Sequence, residues 1–526
     1  MQRPSPSTLT IWLPLAAILL APPTQAQTGH PVQSPTAAAI DRALATISEA
    51  DFRGKLAALA HDSTQGRETP SPGLEAATDW VALQFARAGL VPGGDADGFL
   101  QRFPLRNTRL DSLTTVTVSG LDCDASWRLG REIVYAVAAD PIDLADVPVI
   151  LLVGIPEDSA NPFGDVSVEG AALLHLIAPD QLSGRILNPI HLRANRDGAV
   201  AHIVAAELPS AQWDRFVQGS FPDRWEVPGL ELPGDDVVLT VYGLRMQAAM
   251  DLLLEAGEDP AVLAPDTPGA ARPLPGVTLS VHTHHTAGQE ATVANVVGVL
   301  EGSHAELRHE AVVFTSHMDH VGVIGGRCRP SEALPADSIC NGADDNASGT
   351  VGLIELAEAF ATLEPRPART LVFVAATAEE RGLLGSFYYA SHPVIPIERT
   401  VADLNLDMIA RNPRDTVGMV GKDFTSLGAV VDRIVRERPE LRLTPVDRPI
   451  PYRTSDHYPF AVRGVPAAFF FSGMHPDLHT AADNPERADA EQAARITQLA
   501  FLTALAVAND PRAPVWEPDA REAVVR

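Results

Sequence analysis

Cysteine is scarce in this chain. Three residues in 526, Cys123, Cys328 and Cys340, are too few for a fold stapled by disulfides. Positive charge is short as well: 40 Lys and Arg against 67 Asp and Glu leave a formal charge of −27 and a pI near 4.9. That balance offers no basic face to phosphates, which excludes nucleic acid as a partner, and an acidic surface mainly confers solubility. No apolar run reaches the ~20 residues that span a bilayer, so no stable membrane anchor is expected. Internal repeats and low-complexity tracts are missing too.

What is present begins with an address. Arg3, the apolar stretch Leu9 to Leu20 and the small-x-small sequence Thr24-Gln25-Ala26 before Gln27 predict a cleaved signal peptide over residues 1–26. The mature chain is then secreted or periplasmic; an uncleaved anchor is the alternative. In an oxidising compartment Cys328 and Cys340, which bracket a short loop, are the pair expected to bond, and Cys123 is left as a buried thiol. Such a loop closure stabilises by about 3 kcal/mol on the chain-entropy estimate.

At 526 residues the chain exceeds one ordinary core, so two domains, or one large domain carrying an insertion, are expected. Residues 35–60 and 74–90 have helical apolar spacing, the second through Ala77, Trp80, Val81, Phe85 and Leu90. From about 113 the texture turns to short β-rich runs such as Thr114 to Val118 and Val147 to Val153. This predicts a mostly β insertion over 116–236, between an N-terminal part of a catalytic domain, 27–115, and its metal-binding part, 237–512. Residues 513–526 read as a loose polar tail. Beyond Val277 strands expected at 311–315, 371–376, 401–406 and 466–471 alternate with helices, one of them containing Leu353, Leu356, Ala357 and Phe360. Strands apolar throughout predict an α/β fold with a mainly parallel sheet covered on both faces, with ligands outside the carboxyl ends of its strands.

Metal-binding side chains fall at those places: His317, Asp345, Glu380, Asp407 and His479. Two imidazoles and three carboxylates suit a pair of zinc ions if one carboxylate bridges, each ion keeping a position for water. Taken singly, each has a plainer reading: a strand-end histidine for His317, helix capping for Asp344 and Asp345, a solvated acidic turn for Glu379-Glu380, a loop histidine for His479. Asp407, a charge closing an apolar strand, is harder to dismiss. Asp319, on the same side as His317 in an extended strand end, is placed to accept its second ring N–H. Of the adjacent carboxylates Glu379 and Glu380, one can bind metal while the other carries a proton. His475 reads as a surface residue, Ser455-Asp456-His457 as a turn or part of the site lining, and His282-Thr283-His284-His285 as a strand that pairs with no carboxylate cluster.

The fragments Ser316 to His320, Gly342 to Gly349, Ala378 to Ser386, Asn405 to Met408 and His475 to Thr480, in this order, resemble the di-zinc aminopeptidase family. That family includes secreted bacterial leucyl aminopeptidases, with glutamate carboxypeptidase, transferrin receptor and glutaminyl cyclase as relatives. A fainter match runs through Gln65 to Thr69 and Ala86 to Leu90. The resemblance implies two zinc ions per chain: His317 and Asp407 on one, Glu380 and His479 on the other, Asp345 bridging. It also implies Glu379 as general base and then acid, and Asp319 as the partner of His317. The insertion resembles, in place and texture, the protease-associated domain of some members. The implied activity is a metallo-aminopeptidase in which a hydroxide between the ions attacks the first peptide bond, with peptide or protein N-termini as substrate. A carboxypeptidase or glutaminyl cyclase on the same scaffold, or a binding protein without catalysis, are the alternatives. Two departures stand out: Leu478 occupies a position where several members carry tyrosine, and the 328–340 loop is longer than in compact members.

Overall fold

The computed structural model describes residues 32–525 apart from 122–123, 138–142, 159–160, 221–222, 231, 233–238, 260–268, 447 and 449. The expected signal peptide and Cys123 lie outside the described residues. Among the described residues no helix is long and apolar enough to cross a membrane.

Strands Thr370–Ala376, Ala311–His317, Thr400–Leu406 and Ala467–Phe471 lie side by side and parallel. Both faces are covered, which is why these runs are largely apolar and why even Asp403 and Asn405 are buried. Phe314, Phe373 and Leu404 pack with Phe52 of helix Glu49–Leu59, Leu353 of Gly349–Ala361 and Ile496 of Ala490–Asn509. Val313, Val372 and Val374 face the other way, onto Tyr389 of helix Leu384–Ser391 and Phe460.

The whole sheet is mixed, not mainly parallel as expected. Leu100–Leu110 leads the chain out of it and His285–Leu300 brings the chain back, so this ribbon is antiparallel by necessity. His285–Leu300 is also antiparallel to Thr370–Ala376, and Thr416–Val420 is antiparallel to Ala467–Phe471.

Between the two arms of the ribbon lies a second, eight-stranded sheet. It includes Thr240–Arg245 and Ala271–His282, so it runs past the boundary expected at 236. Its centre is also not the mostly β texture expected. Leu144–Val153, Ala172–Leu176, Ala201–Ala206 and Thr240–Arg245 are mutually parallel, the last two connections passing through helices Gly184–Arg196 and Ser210–Gly219. Residues 149–153, 172–176 and 201–206 are buried at every position and apolar but for His175 and His202, and burial on both faces marks parallel strands as it does in the first sheet.

The C-terminal segment docks where a loose tail was expected. Trp516 Nε1 donates to the Gly464 carbonyl at 3.0 Å, and Arg521 Nη2 to that of Val462 at 2.9 Å.

Candidate metal centre

Parallel strands deliver the chemistry to one edge. His317 ends Ala311–His317, Glu379 and Glu380 open the turn after Thr370–Ala376, and Asp407 follows Thr400–Leu406. Asp345 comes from the 343–348 turn before helix Gly349–Ala361, and His479 from the loop beyond Ala467–Phe471. Ala378, Met408 and His479 take left-handed backbone angles (φ 64°, 51° and 55°), which turn the chain sharply beside each ligand. Non-glycine residues adopt that region at a cost of about 1–3 kcal/mol each.

The five expected ligand residues come together, in two groups that share Asp345. In one, His317 Nε2 is 3.5 Å from both Asp345 Oδ1 and Asp407 Oδ1. In the other, His479 Nε2 is 3.0 Å from Asp345 Oδ2 and 3.1 Å from Glu380 Oε1. Each carboxylate oxygen of Asp345 thus faces a different group. Ligands about 2.0–2.1 Å from a tetrahedral ion stand about 3.3 Å from one another, so both groups are spaced for a divalent cation. Glu380 Oε1 and Asp407 Oδ1 are buried with no hydrogen-bond donor, as expected of atoms reserved for an ion.

A sixth ligand candidate was missed by the sequence reading. His320 is fully buried, neither of its ring nitrogens has a hydrogen bond, and Nδ1 lies 3.2 Å from Glu380 Oε1 and 3.5 Å from Asp345 Oδ2. Strand alternation pointed it away from His317. The alternation ends there because the His320 N–H donates to the Arg67 carbonyl at 3.1 Å and the segment bridges to Glu68. The second group therefore offers four candidate ligands and the first offers three.

Asp319 acts differently from the expectation. Its backbone carbonyl is 3.2 Å from His317 Nδ1, while its carboxylate is 3.8 Å away. That carboxylate instead accepts from Thr69 Oγ1 at 2.8 Å and from the Glu379 N–H at 3.2 Å, so Asp319 positions two site residues at once.

The surrounding shell is satisfied by residues that carry no ligand. Asn346 donates to Ser316 Oγ and the Leu406 carbonyl, and its Oδ1 accepts from Gly349 and Met408 N–H, tying three ligand-bearing segments together. Asp483 accepts the N–H groups of Asp344 and Asp345. Ser455 Oγ donates to Asp407 Oδ2 at 2.7 Å, which resolves the role of the 455–457 turn. His475, expected at the surface, is buried with Nε2 at 3.2 Å from Asp344 Oδ2; a buried carboxylate required a partner, and this histidine supplies it. Arg67, wholly buried, donates to the carbonyls of Met318, Asn341 and Gly342 at 2.7 to 2.9 Å, which explains the faint N-terminal match. Arg67→Ala strands these carbonyls, and denaturant unfolding is expected to show a loss of about 3 kcal/mol or more.

Cys328 and Cys340 are bonded, with Cα atoms 5.7 Å apart. The loop they close is knitted to the His479 segment: the Arg329 N–H donates to the His479 carbonyl at 3.0 Å and Arg329 Nη2 to that of Leu478 at 2.6 Å. Arg327 Nη2 also lies 3.3 Å from Glu380 Oε2. Replacing both cysteines by serine is expected to cost about 3 kcal/mol of stability, read as a lower melting temperature. An unchanged melting temperature would show that the loop is held without the bond.

Charge separates the neighbouring carboxylates. Burial pushes Glu379 well above the usual carboxylate range, Glu380, Asp456 and Asp407 add to this, and His317 only partly opposes it. Burial works on Glu380 too, but His320 and His479 reverse it and hold Glu380 well below that range. Two adjacent carboxyls driven apart in this way suit a proton carrier and a ligand respectively.

Other metal-like features are accounted for. His284 Nδ1 pairs with the single carboxylate of Asp111 at 2.6 Å on the surface, and none of His282, His284 and His285 joins a group of three possible ligands among the described residues. Asp51, Glu355 and Glu358 converge, but Lys55 Nζ stands 2.6 to 2.8 Å from each and supplies the cation itself.

Residues 295–504 match Peptidase family M28. A probable zinc metalloprotease of Leptosphaeria maculans is 26% identical over 265 residues, 42% of this chain and 59% of that protein. Aminopeptidase YwaD of Bacillus subtilis is 26% identical over 230 residues, 41% of this chain and 44% of that protein. The chain thus spans about half the length of these curated relatives. Among solved structures, an aminopeptidase from Aneurinibacillus sp. strain AM-1 aligns over 88% of this chain and 95% of its own, at 18% identity and a TM-score of 0.48.

Proposed function

Residues 295–504 match Peptidase family M28, and from that premise we propose that this chain is a secreted, two-zinc aminopeptidase that removes N-terminal residues from peptides. The observation that carries the reading is Asp345, whose two oxygens face two ligand groups spaced for an ion, with Glu379 Oε2 at 3.8 Å from His317 Nε2. When bound, zinc would polarise the substrate carbonyl and lower the pKa of a water. His317, Asp345 and Asp407 would hold one ion, and Asp345, Glu380, His479 and His320 the other.

Glu379 is the proton carrier. It lies beside the ligand groups without belonging to either, its burial raises the affinity of its carboxylate for a proton, and Asp319 fixes its backbone. It takes a proton from the attacking water at a carboxylate oxygen and delivers it to the leaving amine. Leu383, Met408 and Leu478 join one apolar cluster with Tyr458 and Phe469, and each adjoins or nearly adjoins a ligand in sequence. This supports an aliphatic or aromatic first residue as the preferred substrate, with Leu478 part of that wall. The second sheet, entered and left through the ribbon, is the protease-associated-like insertion in this reading.

Hydrolysis of leucine and aspartate p-nitroanilides tests the preference: the leucine compound should be cleaved faster, and equal or reversed rates would contradict the apolar wall. His320→Ala tests the four-ligand group. Zinc affinity at one of two sites should fall at least about 10- to 100-fold in a chelator-competition titration. Two sites unchanged from wild type would make His320 a buried neighbour only.

A further inference from the structure

The second sheet holds a cavity of about 290 Å³ that none of the metal-centre residues line. Its walls include Leu187, Val204, Leu208, Phe216 and Val241, and no Asp, Glu, Lys or Arg lines it. Polar atoms nevertheless interrupt those walls. His202, Trp213 and Tyr242 line the cavity at 1%, 2% and 1% exposure, yet His202 Nδ1, Trp213 Nε1 and the Tyr242 hydroxyl have no hydrogen-bond partner among the described residues. Buried polar atoms are normally paired, so these three, with His191 Nδ1 as a fourth bare atom on the same lining, point to something that completes them.

Their donor and acceptor roles follow from the neighbours. His175 Nε2 is 2.8 Å from the Gly154 carbonyl and must carry hydrogen. A neutral His175 then has a bare Nδ1, which lies 3.3 Å from His202 Nε2, so that nitrogen carries hydrogen in turn. His202 Nδ1 is left as a lone-pair acceptor. Burial keeps both rings neutral, holding His175 at about 4 and His202 well below its usual value. Trp213 Nε1 is a donor only, and its ring is braced from outside by the Arg245 guanidinium 4.2 Å above it.

We propose that this cavity is a binding site for a small, uncharged, mostly apolar molecule that carries both a hydrogen-bond donor and an acceptor, an amide with an aliphatic or aromatic substituent. The donor completes His202 Nδ1 and the acceptor completes Trp213 Nε1. A volume at the lower end of the about 300–1,000 Å³ of ligand pockets limits the ligand to the size of one amino-acid residue. The absence of charge in the lining excludes a carboxylate or ammonium, whose burial would be uncompensated. The site is independent of the peptidase reading.

Titration calorimetry of the full chain with N-acetyl-leucinamide, N-acetylleucine and toluene tests this. The amide should bind once per chain, at least about tenfold tighter than toluene, and the charged acid should not bind. Leu187→Trp, a half-buried wall position, should abolish amide binding while melting temperature and peptidase turnover stay unchanged, and His202→Phe should weaken it about tenfold. No saturable binding of the amide, binding unaltered by Leu187→Trp, or toluene binding as tightly as the amide would each overturn the proposal. Saturation-transfer NMR on the wild-type chain gives the same decision if either variant fails to fold.

Discussion

Glu379→Gln is expected to lower kcat about 10²–10⁴-fold, equivalent to about 3–5 kcal/mol of the activation barrier, while KM and the zinc content stay near wild type. Gln is isosteric, and the hydrogen bond from the residue 379 N–H to Asp319 Oδ1 survives because it is made by the backbone. What disappears is the proposed proton carrier beside His317. Glu379 belongs to neither ligand group, so the ions should remain. A variant that keeps its rate, or that loses metal together with rate, would contradict the role. Steady-state kinetics alongside elemental analysis of the same preparation separates these outcomes.

Asp345→Ala should act on both ions at once. Its oxygens lie 3.5 Å from His317 Nε2 and 3.0 Å from His479 Nε2, one in each group, and among the described residues Asp345 alone belongs to both groups. Zinc affinity should fall by more than the about 10–100-fold that loss of an outer partner costs, and turnover should fall to background. The backbone bond from residue 345 to Asp483 Oδ2 is retained, so the turn itself should persist. Loss of one ion with the other held at wild-type affinity would show that Asp345 serves a single group and that the centre is not bridged.

The sequence made the ligands legible because strand ends are local events. An apolar run that stops at His317 or Asp407 announces where a side chain leaves the sheet, and the distances confirm that the five residues converge. His320 escaped because its orientation depends on pairing with Arg67 and Glu68, more than 250 residues earlier in the chain. His475 escaped for a related reason: its partner Asp344 lies on another loop, and nothing nearby in the sequence marks it as buried. The insertion shows the opposite failure. Residues 172–176 and 201–206 are apolar apart from His175 and His202, close to the signal that identified the first sheet, but Pro, Gly and Asp between short runs read as an all-β texture. Its upper boundary depended on knowing that Ala271–His282 pairs with Leu144–Val153 and with Thr115–Ser119, a register that no local pattern encodes.

The most direct measurement uses one apolar peptide, with a free and with an acetylated N-terminus, incubated with zinc-loaded and with chelator-treated protein, the products being identified by mass. The account predicts release of the first residue from the free peptide alone, lost on chelation and restored by zinc. Cleavage of both peptides from the carboxyl end, or no metal-dependent cleavage of either, would contradict it.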